Sequence, residues 1–402
     1  MLGFGIVLPV LGLYAQRFGA DALSVGLLVA SYSLAQLVSA PILRRVSDRA
    51  GRRSVLVCSL LGFAAASLLT GLAGSLTVLL AGRLIGGAAA GSHSVALGAV
   101  TDLAGPEERP RLFGHLSSAY ALGIALGAVL GGLAGAWNED APFLVAAALA
   151  CVNAVAVWAR VPGSTPAGRP AVATDPFGES GATVAAEGSG GEKPAAARSG
   201  SGLRTVRRQH VGYIAVGVVA VAAFSGFEAT LALLGEQRFD FTLASASAAF
   251  ATIGVGLVVV RVVLVGPVTR RLGDERTVRW GLGGVAAGLA VLAAAATPAV
   301  LVVALVLLVL GHGLLIPALW TGVAMVAAAQ DRGTVLRTQQ TAGALARVVG
   351  PVLAGLLFDR LAPGAAYLFG AALVVVAAAV LVPVANASTG RAQGPADKVT
   401  GE

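Results

Sequence analysis

Apolar runs of about 20 residues, the length a helix needs to cross the hydrocarbon core of a bilayer, recur along the whole chain. They fall at about 24–43, 54–74, 76–100, 112–136, 141–161, 211–234, 243–266, 277–296, 298–324, 337–358 and 364–385, with a shorter run at 1–15. These runs predict twelve transmembrane helices in two sets of six. Residues 162–210, rich in Gly, Ser, Pro, Ala and charge, cannot bury a core and are expected to form a disordered linker, with room for a short basic amphipathic piece near Leu203–His210. The expected organisation is a first six-helix bundle over 1–161, the linker 162–210, a second six-helix bundle over 211–385 and a tail over 386–402. The fold class is an all-α membrane protein.

The first run is short. At about 1.5 Å per residue its fifteen residues reach roughly 22 Å, against a hydrocarbon core of about 30 Å. The first helix is therefore expected to be shorter than the other eleven and cut off at its start, with a groove at its cytoplasmic end.

Composition supports a lipid environment. Of 402 residues, 56% are hydrophobic and only 12% charged, where a soluble domain carries about 25% charge. The 54 glycines suit helices that approach closely in a membrane. The net charge of +8 comes from short basic clusters between apolar runs with no aromatic interleaving, which argues against nucleic acid. With the linker in the cytoplasm, 22 of the 28 Lys and Arg fall on the cytoplasmic side. Only Arg17, Arg238 and Arg360 fall opposite, and Arg83, Arg261 and Arg347 lie within spans. Such a bias places both termini in the cytoplasm. Cys58 and Cys151 lie in apolar segments without metal-ligand spacing and read as small buried hydrophobes. No cleavable signal peptide is visible.

The two sets of six resemble each other. At an offset of 223, Ala119, Ala121, Leu122, Gly127, Val129, Leu130, Gly132 and Leu133 match Ala342, Ala344, Leu345, Gly350, Val352, Leu353, Gly355 and Leu356. Parallel repeats of six helices are a transporter architecture.

Three motifs carry a family resemblance. Between spans two and three stands Arg44-Arg45-Val46-Ser47-Asp48-Arg49-Ala50-Gly51-Arg52-Arg53. It resembles the loop signature G-x-x-x-D-R-x-G-R-R of the major facilitator superfamily, through Asp48, Arg49, Gly51, Arg52 and Arg53, with Arg44 in place of the first Gly. Gly51 permits a tight turn, and Asp48 can pair with a nearby Arg or a helix N-terminus. The counterpart in the second half is degraded to Gly266-Pro267 followed by Arg270-Arg271-Leu272-Gly273-Asp274-Glu275-Arg276. In span four, Arg83-Leu84-Ile85-Gly86-Gly87 resembles R-x-x-Q-G, with Gly86 in place of Gln. In span five, Gly123, Gly127, Gly131 and Gly132 resemble the antiporter motif G-x-x-x-G-P-x-x-G-G, with Ala128 in place of Pro. Span eleven keeps Gly350, Pro351 and Gly355. Small residues at this spacing form one stripe on which a second helix can pack. The runs Asp102–Arg109 and Arg111–Gly114, with Ala141-Pro142-Phe143 opening span six, are similar to the twelve-helix drug/proton antiporters of the tetracycline-exporter type. Relatives with a run like Gly3–Pro9 carry further apolar residues and often an acid before it, and that acid is absent here.

The resemblance implies two six-helix, pseudo-symmetric bundles around a central cavity, in the cell membrane. It also implies proton-coupled export of a small amphipathic or hydrophobic molecule, with drug efflux as the leading class. A transporter of the same fold for a sugar, an organic acid or another metabolite is the second reading. An intramembrane enzyme or membrane receptor is the third. The expected partners are the small-molecule substrate, protons and the lipid bilayer, and such proteins commonly work as monomers.

Polar residues within spans are the site candidates. Glu228 in span seven is the best single one, because a carboxyl in low dielectric can carry a proton or meet a cation. A structural partner is its plain alternative. Arg83, within span four, should face protein or water, snorkelling being the rival. His93 and His312 titrate near neutrality if hydrated, although a lone helical His is more often a packing residue. Arg261 is expected to snorkel, and Arg347 is open to either reading. Tyr32 and Gln36 share a face of span two, and with Asn153 in span six they are candidates to line the cavity or to pack in the core. No G-x-x-x-x-G-K-[ST] loop, nucleophile elbow or paired metal-ligand spacing is present, so neither a cofactor nor a metal is expected.

Overall fold

The computed structural model describes residues 2–96, 109–161, 200–326 and 332–389, and no strand occurs among them. The helices are α1 (Leu2–Gln16), α2 (Ala22–Ala50), α3 (Arg52–Gly71), α4 (Leu76–Ala90), α5 (Arg109–Gly135) and α6 (Ala141–Arg160), then α7 (Gly200–Phe239). They continue with α8 (Leu243–Leu272), α9 (Asp274–Ala293), α10 (Pro298–Val326), α11 (Arg332–Arg360) and α12 (Pro363–Thr389). The chain turns at Gly91 and Ser92 after α4 and is helical again at 93–96. In the second half the helix begins at Gly200, inside the segment expected as linker, and residues 162–199 lie outside the described ones.

Local chemistry sets the helix ends. Asp21 caps α2 through a hydrogen bond from the Ser24 N–H, 2.8 Å long. Thr242 and Ser245 form a reciprocal capping box at the start of α8. Proline within α1, α2, α10 and α11 (Pro9, Pro41, Pro317 and Pro351) is tolerated in helices whose neighbours re-satisfy the freed backbone groups. In α8 the α-helical hydrogen bonding gives way to a π turn over Val260–Leu264. Pro267 lies just beyond. It has no N–H to offer the carbonyl of residue 263, which removes one α-helical bond at the place where the register changes.

Seven described helices (α2, α3, α6, α7, α8, α10 and α11) contain segments long and apolar enough to cross a membrane. Shorter apolar helices are Leu2–Gln16, Leu122–Gly135 and Pro363–Ala379. Length and composition thus support seven crossings among the described residues, not the twelve expected. The exposed faces agree with a bilayer setting. Leu34, Val38 and Ile42 on α2, Val255, Val259, Val262 and Val263 on α8, and Val302, Val303 and Val306 on α10 all lie at the surface. Apolar bands of this extent are not left to water. Cys58 and Cys151 are exposed on α3 and α6, not buried as expected. They lie on outward faces, since Ala64, Ala147 and Ala150 fill the packed seam between these helices.

Helices α1–α6 pack chiefly among themselves, as do α7–α12, and the two groups meet mainly where α2 lies on α11 and α5 on α8. The 15 residues of α1 equal the uninterrupted length of α4, so α1 is not the one short helix that was expected.

Candidate functional site

The intramembrane titratable candidates converge on one layer of the second half. On α7, Phe224 and Glu228 are four residues apart and share a face. The Phe224 ring stacks on that of His312 from α10, with centroids 3.7 Å apart and planes 10° from parallel. His312 is only 7% exposed, and its Nδ1 has no hydrogen-bond partner. Glu228 itself is half-buried. The charges that bear on it are Arg347 of α11 and Arg261 of the π turn, and the same two bear on His312. Arg347 also acts on His93, which belongs to the first half, so the layer reaches across the junction between the bundles. Arg261 itself is exposed. Val260 beside it is buried, and a Cβ on Gly313 would lie 2.6 Å from the Val260 side chain. That contact sets Val260 against Gly313.

The first half holds a different arrangement. Arg83 on α4 is 4% exposed. Its guanidinium lies 4.3 Å from the centroid of the Tyr32 ring on α2, and its Nε–H reaches the Leu28 carbonyl at 3.5 Å. It faces protein, and its Nη2 has no partner. A cation desolvated over an aromatic face gains about 2 kcal/mol. Tyr32 is 5% exposed and packs on Phe4 at 5.2 Å, which makes it a core residue. Gln36 donates to the Ala90 carbonyl at 3.4 Å, so it braces the end of α4. Asn153 is exposed on the flank of α6.

The loop motif forms a compact turn. Gly51 has φ +87°, a conformation open to glycine at no steric cost, and its N–H donates to the Ser47 carbonyl at 3.0 Å. Arg52 pairs with Asp48 at 3.0 Å, and the Arg53 guanidinium sits 5.0 Å from the Trp158 ring centroid at the end of α6. Arg49 and Arg44 are exposed. The degraded counterpart has the same backbone: Gly273 has φ +77° and its N–H donates to the Thr269 carbonyl at 2.9 Å. Glu275 and Arg279 there form an ion pair.

The glycine stripes pack as the motif spacing suggests. A Cβ on Gly127 would lie 2.3 Å from the Leu2 carbonyl oxygen, and one on Gly131 would lie 2.5 Å from that of Ile6. These two residues let α5 touch the backbone of α1, while Gly132 faces Ser247 of α8. Gly123 is half-buried on α5. In the second half a Cβ on Gly350 would lie 2.2 Å from the Ala222 carbonyl oxygen of α7, and one on Gly355 2.3 Å from that of Ala22 on α2. The Pro351 carbonyl in turn fits against Gly26 of α2. The fifth helix of each half thus packs on its own first helix and on the second helix of the other half.

Contacts between halves concentrate at one end of the bundle. The Asp359 carboxylate of α11 accepts from the N–H groups of Ala22 and Leu23, at 3.1 and 2.7 Å, and so caps α2 across the junction. Gln16 at the end of α1 donates to Glu236 near the end of α7 at 2.5 Å. Toward the opposite end, which carries the Gly51 and Gly273 turns, α2 is largely exposed beyond Tyr32 and α8 beyond Val260. Asp359 and Gln16 tie the two halves together at one end. Sequence reasoning missed Asp359 and Phe224. The carboxylate beside Arg360 was the only signal for the first.

The family model of the Major Facilitator Superfamily matches residues 1–351 and 262–398. The tetracycline resistance protein, class C, of Escherichia coli is 28% identical over 387 residues, which cover 93% of this chain and 91% of that protein. The multidrug resistance protein 2 of Bacillus subtilis (strain 168) is 26% identical over 366 residues, covering 89% and 86%. The crystal structure of the human organic anion transporter MFSD10 (TETRAN) superposes with a TM-score of 0.63 at 23% identity, covering 94% of this chain and 95% of that one.

Proposed function

Because this chain belongs to the Major Facilitator Superfamily and is a membrane transporter of small molecules, we propose that it exports a small amphipathic or hydrophobic molecule in exchange for protons. One observation carries the reading: Glu228, the carboxylate of an otherwise apolar span, shares a face of α7 with Phe224, which stacks on the buried His312 of α10, and the charge of Arg347 on α11 bears on both. A carboxyl in low dielectric can exchange a proton as its surroundings change. Side-chain contacts that tie the halves together at one end suit alternating access, because they can break and re-form as the halves rock. The basic Gly51 and Gly273 turns, the linker and both termini lie in the cytoplasm on this reading, so the end tied by Asp359 faces outward. The drug-resistance relatives support efflux over uptake, and the working unit is the monomer.

Everted membrane vesicles test the exchange. Under an acidic lumen they accumulate ethidium or rhodamine 6G, and a protonophore abolishes the accumulation. Dye movement indifferent to the gradient overturns proton coupling. Uptake into right-side-out vesicles instead favours the second reading, a metabolite importer of the same fold.

A further inference from the structure

The bearing of His312 is fixed by the glycines on either side of it. The backbone of Gly311 lies against Gly284 and Val285 of α9, and Gly313 makes room for the Val260 side chain of α8. Successive residues of a helix point about 100° apart, so residue 312 is turned to a third side, where α7 stands. There its imidazole lies flat on Phe224, with centroids 3.7 Å apart, and Phe224 in turn meets the Phe227 ring at 5.4 Å. His312 and Phe224 are only 7% and 6% exposed, yet the imidazole Nδ1 has no hydrogen-bond partner. A phenylalanine at 312 would fill the same stack without enclosing an unpaired nitrogen, which is costly in an apolar interior. What histidine adds at this position is the polar edge.

We propose that Phe224 and His312 form a recognition subsite for a flat aromatic molecule that donates an N–H or O–H, in the plane of its ring, to His312 Nδ1. A neutral imidazole carries one donor and one acceptor. The tautomer with its proton on Nε2 leaves the enclosed Nδ1 as an acceptor and strands no N–H there. Phe224 covers the imidazole face that such a ring would share. A turn of the Phe224 side chain uncovers that face, the incoming ring restores the stacking, and its donor satisfies Nδ1. Glu228 stands one turn along the same face of α7, so the occupant lies beside the carboxylate on which proton exchange turns. A molecule of the same shape without the donor leaves Nδ1 unpaired, and a site built to pair with a polar group discriminates on that group more sharply than an apolar pocket does on size. Taking this occupant to be the exported molecule rests on the export reading above.

Two dyes that share one ring system test the subsite. Rhodamine 123 carries N–H groups in the plane of its xanthene ring, and tetramethylrhodamine methyl ester carries N-methyl groups at the same positions. Fluorescence anisotropy titrations of the purified full-length protein in detergent give a dissociation constant for each. The wild type should bind rhodamine 123 about tenfold more tightly than the methylated dye. His312→Phe, which keeps a flat ring and removes Nδ1, should bind the two alike. Phe224→Leu, which removes the flat wall, should weaken both. Equal binding of the two dyes by the wild type, a preference that survives in His312→Phe, undiminished binding of both by Phe224→Leu, or binding of neither overturns the proposal. The wild-type comparison needs no variant and stands even where His312→Phe does not fold. Failure of proton-coupled export is distinguishable, because these titrations use no gradient. A preference abolished by His312→Phe, together with dye movement in vesicles that is indifferent to the gradient, sinks the export reading and leaves the subsite in place.

Discussion

The two halves use the same packing to hold different chemistry. In each, the fifth helix carries a glycine stripe that lets it touch the backbone of the first helix, through Gly127 and Gly131 on α1 and through Gly350 on α7. In each, a positive-φ glycine turns the second helix into the third, Gly51 in one and Gly273 in the other. The buried polar groups do not repeat. The first half buries Arg83 against the Tyr32 ring and a backbone carbonyl, with no carboxylate pairing among the described residues. The second half assembles Glu228, His312, Arg261 and Arg347. Glycines at helix crossings are constrained by backbone approach, so duplicated halves must keep them. Polar residues facing an interior space are constrained only by what that space does, and there the halves have diverged.

The largest effect should come from breaking the shared packing. Gly350→Leu and its counterpart Gly127→Leu each drive a side chain into a carbonyl oxygen, and overpacking of this kind costs about 3 kcal/mol. Both variants should lose most of their monodisperse yield in detergent, whereas Gly343→Ala, which meets nothing within 4 Å, should match wild type. A tolerated Gly127→Leu beside a damaging Gly350→Leu would show that the halves do not pack alike.

A smaller effect is expected at the cap that α11 places on α2. Replacing the Asp359 carboxylate by an amide in Asp359→Asn leaves one of the two N–H groups without an acceptor, at about 2 kcal/mol. The end tied by Asp359 should open more often, and a cysteine placed at Ala22 should react with a membrane-impermeant maleimide at least about tenfold faster. An unchanged rate would mean that packing of Gly355 and Gly26 alone keeps this end shut.

The smallest effect concerns Asp21, on the same helix end. The hydrogen bonds from Ser24 hold its carboxyl below the usual carboxylate range. A lowered folded value means the cap contributes fully above pH about 4 and fades as pH falls through that lower value. Asp21→Ala should therefore lower stability by about 1 kcal/mol near neutrality, seen as a lower thermal midpoint, and the deficit should vanish in strong acid. A deficit independent of pH would assign the cost to something other than the ionised cap.

Much of the fold was legible because apolar run length and glycine spacing are local signals. The observed helices follow the predicted runs from α1 to α12, and Gly127, Gly132, Gly350 and Gly355 were recognisable as a repeat before their contacts were visible. What escaped depends on direction. Tyr32 and Gln36 share a face of α2, yet spacing does not say whether that face meets a cavity or α4, and it meets α4. Cys58 and Cys151 were misplaced because in a membrane the apolar residue has two hydrophobic destinations, the core and the lipid. The helical start of α7 at Gly200 was legible only as a short basic amphipathic piece near Leu203–His210, because a helix end outside the bilayer tolerates a polar composition.

On the function proposed above, Glu228 is the group on which energy coupling turns, and transport in everted vesicles tests that most directly. With an acidic lumen and rhodamine 6G outside, the wild-type protein should accumulate dye. Glu228→Gln, extracted in equal amount, should lose more than about tenfold of the gradient-driven rate, equivalent to 1.4 kcal/mol or more. Gradient-driven accumulation by Glu228→Gln at the wild-type rate would contradict the assignment.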